Sequence, residues 1–169
     1  MKTDRFLLFL LIGIGLLVVL AVGLFLARGG VQQAYGDEST PEGVLRNYFL
    51  AAQKQDFDRA YSYLSDTTKG KPTRAAFQSA MTEMQTSILQ TGVEIGDTQA
   101  PGEDTVVITI TLIHNSGGVF ETPYRDIQTV ALVREKGKWK IASMPYPYGD
   151  YSWFGGYTNK FEPAPVPEE

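Results

Sequence analysis

The run TVVITITLIH, Thr105 to His114, is the stretch on which the fold turns. It is rich in β-branched residues, and its side chains alternate: Val106, Ile108, Ile110 and Leu112 point one way, Val107, Thr109, Thr111 and Ile113 the other. A period of two with one wholly apolar face predicts a strand lying on a core. Toward the C-terminus, Asn115-Ser116-Gly117-Gly118 reads as a hairpin connection and Val119 to Arg134 as a long partner strand. Pro123 has no N–H to give a ladder, so a bulge, bend or edge is expected there. Glu135-Lys136-Gly137-Lys138 turns the chain again, and Trp139 to Met144 closes the sheet.

Toward the N-terminus, Ala100 to Asp104 is a turn and Val93 to Gln99 a first strand. Upstream of Gly92 the period changes from 2 to about 3.6. Phe77, Ala80, Met81, Met84, Ile88 and Leu89 mark one helix, capped by Thr73 and running to about Gln90, with Gly92 as its stop. Before the break at Lys69-Gly70-Lys71-Pro72, Asp56 caps a short helix that carries Phe57, Ala60, Tyr61 and Leu64 on one face. Thr40-Pro41-Glu42 opens another, with Val44, Leu45, Tyr48, Phe49 and Ala52 at helical spacing to about Lys54. The expectation is an α+β domain over 40–144, three helices packed on a curved four-stranded antiparallel sheet.

An apolar run precedes it. Phe6 to Ala27, FLLFLLIGIGLLVVLAVGLFLA, has no polar side chain and as a helix is about 33 Å long at about 1.5 Å per residue, against a hydrocarbon core of roughly 30 Å. It exceeds the roughly 7–15 apolar residues of a cleaved signal, and Leu24-Phe25-Leu26 stands where a cleavage site wants small residues. A retained transmembrane signal-anchor over 1–28 is therefore expected. Lys2 and Arg5 before it, against Arg28 and then Asp37, Glu38 and Glu42 after it, place the N-terminus in the cytoplasm and the domain outside. Residues 29–39, GGVQQAYGDES, read as a flexible linker.

The chain carries 15 Lys and Arg against 19 Asp and Glu, a net charge of −4, and Lys2, Arg5 and Arg28 all precede the domain, which is more acidic still. Such a surface repels phosphate backbones, so no nucleic-acid partner is expected. There is no cysteine, which removes disulfides, thiolate nucleophiles and cysteine-ligated metals. No dense His or acid cluster offers metal-ligand spacing, and neither a Gly-rich phosphate loop nor a Gly-x-Ser-x-Gly elbow occurs, so no metal and no cofactor is expected.

Two stretches, TPEGVLRNYFLAAQKQDFDRAYSYLS (Thr40 to Ser65) and VALVREKGKWKIASM (Val130 to Met144), resemble the nuclear transport factor two-like superfamily. That is the cone-shaped α+β fold shared with ketosteroid isomerase and polyketide cyclases. Bacterial secreted and membrane-tethered relatives of unknown function look similar in both places. The resemblance implies a pocket between sheet and helices, in which the enzymes of the superfamily place an acid or a His. These motifs are packing motifs and speak for fold rather than chemistry.

The candidate acids and bases are His114, which shares the Ile108, Ile110 and Leu112 face, and Asp126, in phase with Gln128 and Val130. A strand-end histidine and a lone strand aspartate are more often structural than catalytic, and no acid–His pair is recognisable. Candidate ligand- or partner-binding residues are Tyr124 and, in MPYPYGDYSWFGGY, Tyr146, Tyr148, Tyr151, Trp153 and Phe154. That aromatic segment, 145–161, is expected to pack back on the domain, because rings at this density are costly in water. A disordered tail, 162–169, follows it.

The functional expectation is a noncatalytic, membrane-anchored extracytoplasmic domain that binds a small apolar ligand or an envelope protein. The alternatives are an isomerase- or cyclase-like enzyme using His114 or Asp126, and a scaffold docking through the aromatic segment.

Overall fold

The computed structural model describes residues 5–27, 33–66, 70–115 and 122–154. It separates into two units, Met1–Ala34 and Tyr35–Glu169. The first holds helix α1, Arg5–Ala27, of 23 residues. Its large side chains from Phe9 to Val22 are all exposed. Among the described residues no helix is long and apolar enough to cross a membrane; side chains of α1 are described only over 9–23, fewer than the 18 residues of a span.

The second unit is α+β: helices α2 (Pro41–Gln53), α3 (Phe57–Ser62), α4 (Arg74–Glu83) and α5 (Gln85–Gln90), then strands β1 (Thr91–Gly102), β2 (Thr105–His114), β3 (Tyr124–Glu135) and β4 (Lys138–Ile141). The sheet is antiparallel in the order β1-β2-β3-β4. All three expected caps form: the side chains of Thr40, Asp56 and Thr73 accept from the N–H groups of Gly43, Arg59 and Ala76.

Three boundaries differ from the sequence reading. The single helix expected from Thr73 to Gln90 is two, divided at Met84, which at φ −80 and ψ −2 ends the first and opens the second. Thr82 Oγ1 donates to the Gln78 carbonyl at 2.7 Å, a back-bond that bends helices, so among the described residues the domain carries four α-helices where three were expected. Strand β1 starts at Thr91, so Gly92 is a strand residue facing Ile113, and β1 runs on through Pro101, which an edge strand tolerates. Strand β4 stops at Ile141 because the N–H groups of Ala142 and Ser143 both turn to the Ala131 carbonyl, and the chain leaves the sheet. The Val119 to Glu121 part of the expected partner strand lies outside the described residues.

The core lies between the helices and one sheet face. Val106, Ile108, Ile110 and Leu112 of β2 and Val130 and Leu132 of β3 are buried there beside Leu45, Tyr48, Phe49, Phe77, Met81 and Ile88. On this face the β2–β3 ladder pairs Val106 with Leu132 and Ile108 with Val130, then Ile110 with Gln128, Leu112 with Asp126 and His114 with Tyr124. One end of the sheet is thus apolar on both strands; the other turns polar.

The linker expected through Ser39 is bound from Tyr35 onward. Tyr35 Oη donates to Asp56 at 2.9 Å, and the Arg59 guanidinium lies 3.6 Å from the Tyr35 ring centre. Gly36 and Asn47 exchange two hydrogen bonds, of 2.8 and 3.0 Å. Glu38 accepts from Arg59 at 2.9 Å and from Tyr63 at 2.7 Å, and chiefly the Tyr63 hydroxyl holds its carboxyl below the usual range. Burial and the Asp56 hydrogen bond push the Tyr35 phenol up to about 12. Glycine and aspartate suggest a free tether, but the complementary partners on α2 and α3 supply the binding energy that orders it.

Candidate functional site

The polar end of the sheet opens beside the end of α5. Asn115 N–H donates to the Gln90 carbonyl at 3.0 Å, joining the last residue of α5 to the residue that follows β2. Around this junction lies a cleft of about 280 Å³, lined by Ser87, Gln90, Thr91, His114, Asn115, Thr122 and Tyr124. The volume lies just below the range of small-molecule sites, roughly 300–1,000 Å³, and admits one ring or a short chain.

His114 is half-buried at the core-facing rim. Its Nδ1 lies 3.2 Å from Thr91 Oγ1, in hydrogen-bond contact. Its ring stacks on Tyr124, directly opposite on β3, with centroids 6.0 Å apart and planes at 25°. Tyr124 is 66% exposed. Asp126, two residues further along the same face, accepts from Gln128 at 2.8 Å. The two expected acid–base candidates therefore have separate partners, a hydroxyl and a carboxamide, and among the described residues no charged side chain lines the cleft.

The aromatic segment divides. Tyr148 is fully buried. Its hydroxyl donates to the Thr91 carbonyl at 2.7 Å, and its carbonyl accepts from the Tyr48 hydroxyl. Its ring meets Phe49 edge-on at 4.7 Å. Burial raises the pKa of both Tyr48 and Tyr148, so each phenol stays a neutral donor. Trp153, 8% exposed, packs on Phe77 with centroids 5.3 Å apart. Gly70 makes room for this return: a Cβ there would overlap the Ser152 carbonyl oxygen and stand 2.7 Å from that of Trp153.

Tyr148 and Trp153, named among the candidate binding residues, are buried in the core, as the expected packing of the segment on the domain implies. Tyr146 is 52% exposed, its hydroxyl 3.2 Å from Ser87 Oγ of the cleft. Tyr151 and Phe154 belong to a 3-10 helix, Tyr151–Phe154, and their side chains lie outside the described residues, as does the tail from 155 onward.

Ser87, Gln90, Thr91 and Asn115 were not singled out by the sequence. Single polar residues at a helix end and a strand end carry no spacing signal; only the fold brings them together.

No family model matches the chain, and no curated protein matches it. Solved structures similar to it include a SEC-C motif containing protein from Rhodopseudomonas palustris, at 11% identity over 63% of this chain and 77% of that one, with a TM-score of 0.46. A ketosteroid isomerase-like protein from Erwinia carotovora atroseptica has 14% identity over 62% and 89%, with a TM-score of 0.45. An NTF-2 like protein of unknown function from Shewanella oneidensis has 9% identity over 58% and 88%, with a TM-score of 0.44.

Proposed function

We propose that this chain is a membrane-tethered, noncatalytic binding module of nuclear transport factor two-like type, with its domain outside the cytoplasm and its ligand taken at the surface cleft beside His114. The observation that carries the tether is the exposed apolar face of α1. From Phe9 to Val22 every large side chain is exposed, which is costly in water and favourable in lipid. With 23 residues the helix reaches about 34 Å at about 1.5 Å each, enough for a core of roughly 30 Å. The flanking charges support the orientation.

Binding rather than chemistry is supported by the separate partners of His114 and Asp126, since proton transfer at neutral pH is served by an acid and a base that face one another. The space in which an apolar guest was expected holds Tyr148, Tyr48, Phe77, Met81 and Ile88, all fully buried, which moves the ligand outward to the cleft.

Alkaline carbonate washing of membranes tests the tether: the chain stays in the pellet, and a double change Leu16→Lys with Val19→Lys releases it. Release of the unaltered chain would overturn the anchor. Protease added to intact cells is expected to degrade the domain; a protected domain would reverse the orientation.

A further inference from the structure

The lining of the cleft defines a ligand class. Three hydroxyls (Ser87, Thr91, Thr122), two carboxamides (Gln90, Asn115), an imidazole and a phenol converge there. Each of these groups both donates and accepts when neutral. Thr91 Oγ1 is occupied by His114, but among the described residues His114 Nε2 and the Gln90 and Asn115 carboxamides have no protein partner. They face a ligand or water with their full capacity.

Beside them stands an aromatic platform. Tyr124 is held by His114 on one side and otherwise exposed, and Tyr146 projects from the Ser87 side. The combination asks for a ligand with an apolar face to lie on a ring and an edge of neutral groups that both give and take hydrogen bonds. A fatty acyl chain has no such edge. A phosphorylated or carboxylated ligand is best held by Lys or Arg, and no described lining residue is either. A pyranose ring meets both demands, with C–H groups on its face and hydroxyls around its rim.

We infer that the cleft binds a neutral saccharide, its ring on Tyr124 and its hydroxyls on Gln90, Asn115 and His114. This rests on the reading of the cleft as the binding surface, and it names what that surface takes. The imidazole acts here as a hydrogen-bonding group, with Thr91 fixing its orientation.

The test uses the full chain, labelled with nitrogen-15, in dodecylphosphocholine micelles, a detergent without sugar. Cellotriose, uridine and octanoate are added in turn to 20 mM (about 20 times a 1 mM Kd, itself the weak end of specific binding). With cellotriose alone, amide signals of Gln90, Thr91, His114 and Asn115 are expected to shift saturably. Tyr124→Ala is expected to weaken that response at least tenfold while leaving the melting temperature in place. Equal response of the Tyr124→Ala protein would overturn the platform. Response at these amides to uridine or octanoate but not to cellotriose would overturn the saccharide class and leave the cleft as the binding surface. No response there to any of the three would overturn both.

Discussion

Tyr146 and Tyr148 stand two residues apart, on either side of Pro147, and have opposite fates. Tyr148 is fully enclosed between α2, α5 and the sheet, whereas Tyr146 is 52% exposed at the rim of the cleft. Thr91 is the wall between the two regions: its carbonyl accepts from Tyr148 inside and its hydroxyl meets His114 outside. The inner region is closed and aromatic, with the Tyr148 and Tyr48 hydroxyls both hydrogen-bonded; the outer is open and polar. On the proposed reading, stability resides in the first and recognition in the second, so a substitution in one region is expected to leave the other property unmoved.

The largest effect that would break this contrast is at Tyr148. Tyr148→Ala removes a buried ring and the three polar contacts of its hydroxyl, with the Thr91 and Ile88 carbonyls and the Gln53 carboxamide, and is expected to destabilise the domain by about 3–5 kcal/mol in urea unfolding. Tyr148→Phe keeps the ring but leaves the Thr91 carbonyl without its donor, for about 1–3 kcal/mol. A change of less than about 0.5 kcal/mol for Tyr148→Ala, the size of an ordinary surface substitution, would mean that the segment does not hold the interior.

Next comes Gly70, the seat of the returning segment. Gly70→Ala forces Ser152 and Trp153 away and should cost about 1–3 kcal/mol by overpacking. Gln85 sharpens the contrast in the opposite direction. Both of its side-chain polar atoms are buried without a partner among the described residues, so Gln85→Leu is expected to stabilise the domain by about 1 kcal/mol.

A smaller, local effect follows from Glu38, whose carboxyl is held below its ordinary value of 4.5 mainly by Tyr63. A depressed carboxyl stabilises the docking of the stretch from Tyr35 to Ser39 fully above pH 4.5 and loses that contribution as pH falls through the depressed value. Ring-proton shifts of Tyr35, set by the Arg59 guanidinium above it, should therefore hold steady from pH 7 to about 5 and move in more acid solution. Smallest of all, Tyr124→Ala should alter unfolding by no more than about 0.5 kcal/mol, because the side chain is 66% exposed.

Much of this architecture was legible in the sequence, for local reasons. Thr40, Asp56 and Thr73 cap helices because a short polar side chain before an apolar period has one physical use, and all three hydrogen bonds form. The alternation from Val106 to Leu112 marked the core face, since a strand has only two sides. The misses are tertiary. Nothing around Met84 marks a break, because residues on both sides of it are ordinary helix formers with the right spacing. Tyr35 and Glu38 sit in a glycine-bearing stretch whose order depends on Asp56, Arg59 and Tyr63, more than 20 residues away.

The aromatic segment shows the limit most clearly. Its density of rings implied burial, yet Pro and Gly remove any period that would say which ring enters. Only the space left between α2, α5 and β1 selects Tyr148. The cleft was legible only through His114 and Tyr124, because its other walls are single neutral residues brought together by the α5–β2 junction.

The claim that the chain closes its own interior has one direct test, removal of residues 145–169 followed by thermal unfolding of the remaining chain. Loss of the cooperative transition, or a melting temperature lowered by more than about 10 °C, is the predicted result, since about 3–5 kcal/mol of burial goes with Tyr148 and each kcal/mol is worth about 2–8 °C in a domain of this size. A transition at the original temperature would contradict it and return the aromatic segment to the surface.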